Sequence, residues 1–260
     1  MDAQGPSPSD PSAKSTRTEA PPPRSLGSAL PIFSKLAAPL GITLVIALGA
    51  TFAFSLERAG TPSFWAWAVL PNVAFAGLGL ARARRDGELR GWLKFVWGDP
   101  TRGIVSAAVM VGAALAFVRV VAPAGSPRES WMARLYLQFG DPAALRDHAT
   151  LVAAAIVVAA FAEEVVWRGL VTRLIAEAIG SRTAWLWAAV LYALAHAPTI
   201  YCLRDPVAGT NPVLVLAAVA LGLVWGGMAR AFGRLTPGIL SHIAFDWCVI
   251  MMFRLWGPGV

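Results

Sequence analysis

From about residue 36 onward the chain alternates long apolar stretches with short, arginine-rich polar connections. The stretches run at 36–56, 62–81, 103–122, 148–172, 183–199, 212–230 and 237–254. Each is near the roughly 20 residues that span a bilayer's hydrocarbon layer as helix. They predict an all-α fold, a polytopic transmembrane bundle of about seven membrane helices. Five helix starts share one punctuation, a capping residue followed by proline: Thr61-Pro62, Asp99-Pro100, Asp141-Pro142, Asn211-Pro212 and Thr236-Pro237. The capping oxygen can satisfy an orphan N–H, and proline suits the first helical position because its missing N–H would be unpaired there anyway. The fourth helix is expected to begin at Pro142 and to meet no breaker before Gly180, where Gly-Ser closes one helix and opens the next. Ahead of it, residues 130–139 place Trp131, Leu135 and Phe139 at helical spacing, beside Met132 and Tyr136. That segment reads either as an interfacial amphipathic turn or as a loop packed on the bundle.

Residues 1–30 differ in kind. Pro, Ser, Ala and Thr dominate and large apolar residues are nearly absent, so too little surface can be buried to offset ordering entropy. A disordered Pro/Ser-rich cytoplasmic tail is expected there, followed by a transmembrane helical domain at 31–260. The tail lacks a signal peptide's order of basic start, apolar stretch and small-residue cleavage site, so the first apolar segment is expected to remain as a membrane helix.

Composition moves the reading further from a soluble protein, with 57% hydrophobic and 14% charged residues. The net charge of +7 would suit nucleic acid in a soluble domain, but here the basic residues lie between apolar segments, and no nucleic-acid partner is expected. With the tail cytoplasmic, that side receives 15 of the 22 Lys and Arg residues, including the run Arg82, Arg84, Arg85, Arg90, Lys94 and Arg102. The bias puts the N-terminus inside and, for seven spans, the C-terminus outside. Cys202 and Cys248 have neither metal-ligand spacing nor a disulfide pattern and read as packing residues.

Against this background, ionisable residues within the apolar stretches stand out, because a charge at membrane depth costs several kcal/mol unless it pairs or faces an aqueous cavity. Phe161-Ala162-Glu163-Glu164-Val165-Val166-Trp167-Arg168-Gly169 holds three. Glu164 and Arg168, four apart with Glu first, share a helix face, and Glu163 points about 100° away. The bland alternative is an interfacial cluster with Arg168 snorkelling and both carboxylates solvated. Tyr192 and His196 share a stripe of the fifth helix, as His242 and Asp246 do in the last. A packing histidine and a structural His–Asp bond are the corresponding plain readings. In an antiparallel hairpin turning near Ser181, Glu163 and His196 lie about 27 and 22 Å from the turn, so they can face each other at one level. Desolvation raises the pKa of a buried carboxyl, which lets such a group take a proton near neutral pH, and opposed imidazoles can orient water or donate to an oxyanion. The inventory suits hydrolysis.

Three motifs in this chain order, Glu163-Glu164-x-x-x-Arg168, Tyr192-x-x-x-His196 and His242-x-x-x-Asp246, resemble the CAAX-protease and bacteriocin-processing (CPBP, also Abi or Rce1-like) family of intramembrane proteases. The resemblance covers a catalytic core at about 145–254. It implies that Glu163 activates water with help from His196, and that His242 and Asp246 stabilise the oxyanion or complete the water site. Glu164, Arg168 and Tyr192 would support them. Tyr192 stands where Phe is commoner, and Asp246 takes the place of Asn, which changes local charge. The substrate implied is a membrane-anchored or membrane-associated protein or peptide, met in the lipid bilayer. The expected location is a bacterial cytoplasmic (inner) membrane, with the N-terminus inside. Zn²⁺ on Glu163, Glu164, His196 and His242 is a workable catalytic set. Short metal-site spacings such as His-Glu-x-x-His are missing, and no obligatory cofactor is expected. The rival classes are a proton- or cation-coupled transporter, which would also use intramembrane Glu, Asp and His, and a non-catalytic membrane chaperone or immunity protein.

Overall fold

The computed structural model describes Met1 and residues 32–252. The tail, apart from Met1, and the last residues of the expected seventh helix lie outside that range. Among the described residues the chain is helical without strands, in the order α1 (Ile32–Ala53), α2 (Pro62–Arg85), α3 (Leu89–Trp92), α4 (Asp99–Val121), α5 (Glu129–Phe139), α6 (Pro142–Asp147) and α7 (Ala149–Glu164). A π-helical segment (Val165–Val171) follows, then α8 (Thr172–Ile179), α9 (Ala184–Ala195), α10 (Thr199–Cys202), α11 (Val213–Phe232) and α12 (Thr236–Met251).

Six helices among the described residues are long and apolar enough to cross a membrane, with α7, the π segment and α8 forming one 31-residue unit. Helix α12 is the seventh apolar helix, but at 16 residues it rises only about 24 Å, less than a full hydrocarbon layer. Leu44, Leu48, Leu70, Leu78, Ile104, Val109 and Leu151 point outward. Exposed apolar bands of this extent fit lipid as the surrounding solvent.

The proline pairs fall within one residue of the observed starts, but their side chains act in different ways. Asp141 caps α6 conventionally, accepting from Ala143 N at 2.7 Å, and Asn211 accepts from Val213 N at 3.2 Å. Thr61 makes no cap bond, and Thr236 Oγ donates to Lys94 O at 2.9 Å. Asp99 is fully buried and accepts from Arg234 Nη2 at 2.6 Å and from Val96 N at 2.9 Å, clasping the α4 start to the α11–α12 turn. The expected unbroken helix from Pro142 is interrupted at His148, whose backbone (φ −108°, ψ 27°) ends α6 before α7 begins. Residues 130–139 form a helix whose apolar face packs inward: Trp131, Met132 and Leu135 are buried against Leu203 and Val213.

At the arginine-rich end, Arg82 forks both oxygens of Glu177 at 2.6 and 2.8 Å, and Arg173 reaches Asp86, Glu88 and Glu177. These pairs tie α2 to α8. Gly103 allows a close crossing of α4 and α12, since a Cβ there would fall 2.8 Å from Leu240 Cβ. That contact fixes the rotation of α12 and turns His242 toward α7.

Candidate active site

Glu164 is wholly buried, and its Oε1 lies 3.1 Å from Arg168 Nη1 and 3.0 Å from His242 Nδ1. The Arg168 contact is an ion pair without a hydrogen bond, and both terminal guanidinium nitrogens lack hydrogen-bond partners among the described residues. The guanidinium is instead held over two rings, with its carbon 4.7 Å from the Tyr192 centroid and 5.3 Å from that of Trp225. Glu163, the neighbour expected on a different face, is 19% exposed at its side chain and accepts a 2.9 Å hydrogen bond from the Tyr192 hydroxyl.

His242 is the hub. Its Nδ1 donates to Glu164, while its Nε2 faces Asp246 Oδ2 at 3.4 Å and Glu163 Oε2 at 3.9 Å. An imidazolium offers an N–H to both sides, whereas a neutral ring with its proton on Nδ1 would set a lone pair against two carboxylates. The ring stacks on Trp225 at 3.7 Å with a 19° tilt between planes, and Trp225 Nε1–H donates to Ser241 Oγ at 3.2 Å.

The fold therefore gathers Glu163, Glu164, Arg168, Tyr192, His242 and Asp246 within one network. His196 is adjacent rather than joined. Its Nδ1 donates to the Tyr192 carbonyl at 2.8 Å and its ring meets the Tyr192 ring edge-on at 4.7 Å, with no ion pair to Glu163. Straight helices would bring Glu163 and His196 to one level, but the π segment interrupts the fourth and α9 stops at Ala195, ahead of Pro198. Tyr192, one turn closer to the hairpin, is the residue that meets Glu163.

Trp225 is the residue that the motifs did not announce. It is fully buried and touches both Arg168 and His242. The available signal was Gly222-x-x-x-Gly226, a small-residue stripe flanking it. Cβ atoms at those glycines would crowd Tyr192, Ala189 and Trp185 of α9 at 3.2–3.3 Å. The π segment was also invisible to periodicity. Thr172 Oγ donates to the Trp167 carbonyl within its widened turn at 2.7 Å, and Gly169 leaves space for the Trp92 ring.

For zinc, the four candidate ligands are poorly disposed. Glu164 is taken by Arg168 and His242, Glu163 by Tyr192, and no group of three or more His, Cys, Asp and Glu could hold a metal ion among the described residues.

Residues 146–248 match the family model described as "Type II CAAX prenyl endopeptidase Rce1-like". This segment is similar to that family. It contains every residue of the network above, from Glu163 to Asp246, and the family is one of membrane proteases. The Rce1-like segment and the six apolar helices together make the chain an integral, multi-pass membrane protein. No curated protein and no solved structure matches the chain.

Proposed function

We propose that this protein is an intramembrane endopeptidase that hydrolyses a peptide bond in membrane-anchored or membrane-associated proteins or peptides, using water activated by Glu163 and no obligatory metal. One observation carries the reading: a part-exposed carboxylate, fixed by the Tyr192 hydroxyl at 2.9 Å, faces the Nε2 of a buried histidine at 3.9 Å. That separation is too long for a direct hydrogen bond and suits a base and a donor that share a substrate between them.

Glu163 takes a proton as the water oxygen attacks the carbonyl carbon. His242 Nε2–H donates to the oxyanion that forms. Collapse breaks the C–N bond, and Glu163 returns the proton to the leaving amine, giving one carboxylate and one amine product. Asp246, at 3.4 Å, acts through His242 by favouring a proton on Nε2 and does not itself face the oxyanion. His196 gives its Nδ1–H to a carbonyl, so its Nε2 lone pair is available to orient the water. Glu164, held by Arg168, anchors His242 from the other side. The Lys and Arg bias supports an N-terminus on the cytoplasmic side.

The test is cleavage of a panel of membrane-tail peptides by the full chain in liposomes, compared with Glu163→Gln. The variant is expected to lose at least about 10²-fold in rate, while its melting temperature stays that of the wild type. The wild type is expected to keep its rate after chelation. Undiminished cleavage by Glu163→Gln would remove the proposed base, and loss on chelation with recovery on added Zn²⁺ would replace glutamate-activated water with a metal.

A further inference from the structure

Beside the active-site network, at the arginine-rich end of the bundle, lies an open cavity of about 330 Å³ between the π segment, the α8–α9 turn and the end of α11. Its charged lining is one-sided: Arg168, Arg230 and Arg234 contribute guanidinium groups, and no carboxylate is among the lining residues. Ser181 adds a hydroxyl that makes no hydrogen bond among the described residues, and Trp92 and Trp185 form apolar walls.

The three arginines differ in how far their charge is already matched. Arg234 is held on Asp99, but that single carboxylate also takes Arg102, so the trio carries a net positive charge. Arg230 is exposed and makes no ion pair among the described residues. Arg168 is 97% buried at its side chain (3% exposed) and ion-paired to Glu164 at 3.1 Å, yet among the described residues its two terminal nitrogens have no hydrogen-bond partner. A buried guanidinium with unpaired donors is costly, and the cavity it lines is open to an acceptor from outside. An anion seated there meets the unmatched charge of Arg230, the terminal N–H groups of Arg168 that make no hydrogen bond, and the Ser181 hydroxyl. The two indoles beside it match the amphipathic chemistry of a membrane interface.

We propose that this cavity is a binding site for a phosphate-class anion, either the headgroup phosphate of an anionic lipid or free phosphate. Arg230 and Ser181 contact it at the mouth, and Arg168 and Arg234 supply the field beneath. Arg168 belongs to both this cavity and the active-site network, but anion binding at Arg230 and Ser181 does not depend on the peptidase reading.

Native mass spectrometry of the full chain released from mixed phosphatidylglycerol and phosphatidylcholine vesicles reads the site directly. The wild type is expected to retain phosphatidylglycerol in preference. Arg230→Gln with Ser181→Ala should reduce that preference about fivefold or more, on the scale of one basic contact to an anionic surface. Arg204→Gln, an exposed arginine outside the cavity, should leave it unchanged, and Arg230→Lys should keep most of it. Inorganic phosphate that stabilises the wild type but not the double variant, without lipid preference, assigns the site to a free anion. Retained phosphatidylglycerol that phosphate does not displace assigns it to a headgroup. Equal retention by wild type and double variant together with no phosphate-dependent thermal shift overturns the proposal, as does an equal loss in Arg204→Gln.

Discussion

Replacing Glu164 by Gln keeps the side chain's shape and removes its charge, which isolates what that charge does for Arg168 and His242. In the native network one oxygen lies 3.1 Å from Arg168 Nη1 and 3.0 Å from His242 Nδ1, with the carboxylate fully buried. At an effective dielectric constant of about 20, a pair at this distance is worth about 5 kcal/mol before desolvation. Removing one partner from a buried pair costs about 3–5 kcal/mol, because the surviving charge is left uncompensated. For a chain of this size that corresponds to a fall in melting temperature of roughly 6–20 °C. The measurement is thermal unfolding in detergent, followed by the circular dichroism of the helices, alongside the peptide-cleavage rate. Glu164→Gln should melt lower and cleave more slowly, since the amide still accepts from His242 Nδ1 but no longer balances Arg168. Adding Arg168→Met should restore much of the melting temperature without restoring cleavage. A Glu164→Gln protein that melts with the wild type would refute the buried-pair reasoning.

Tyr192→Phe removes the 2.9 Å bond to Glu163 but keeps the ring under Arg168, so cleavage should fall about 10- to 100-fold with little change in melting temperature, the scale of a hydrogen bond to a charged group. Trp225→Ala should lower both stability, by about 3–5 kcal/mol, and activity, whereas Trp225→Phe should recover much of the stability by keeping an aromatic face against His242. In the loop before α11, backbone N–H groups of Ala208 and Val207 donate to Asp205 and hold its carboxyl below its ordinary 3.8. Because the folded value is depressed, this stabilisation is present above that ordinary value and is lost as pH falls through the folded one. Hydrogen exchange at Gly209, whose N–H donates to the Asp205 carbonyl at 2.9 Å, should therefore gain protection as pH rises through that window, once corrected for the intrinsic pH dependence of exchange, and Asp205→Asn should flatten the response.

What could be read from residues alone was whatever depends on neighbours in sequence. Apolar run length located the helices, proline pairs located their starts, and the spacing of four in Glu164/Arg168 and His242/Asp246 put partners on shared faces, because a helix repeats every 3.6 residues. The same local logic named every titratable member of the network. It could not say that Glu164 would take His242, that Tyr192 would reach Glu163 ahead of His196, or that Trp225 would lie beneath two of the charges. Those pairings depend on the rotation and depth at which α7, α9, α11 and α12 meet. Small residues such as Gly103 and Gly222, together with the π turn, set these by close packing between segments far apart in the chain. Periodicity fixes which side of a helix a residue occupies, but only packing decides what stands opposite it.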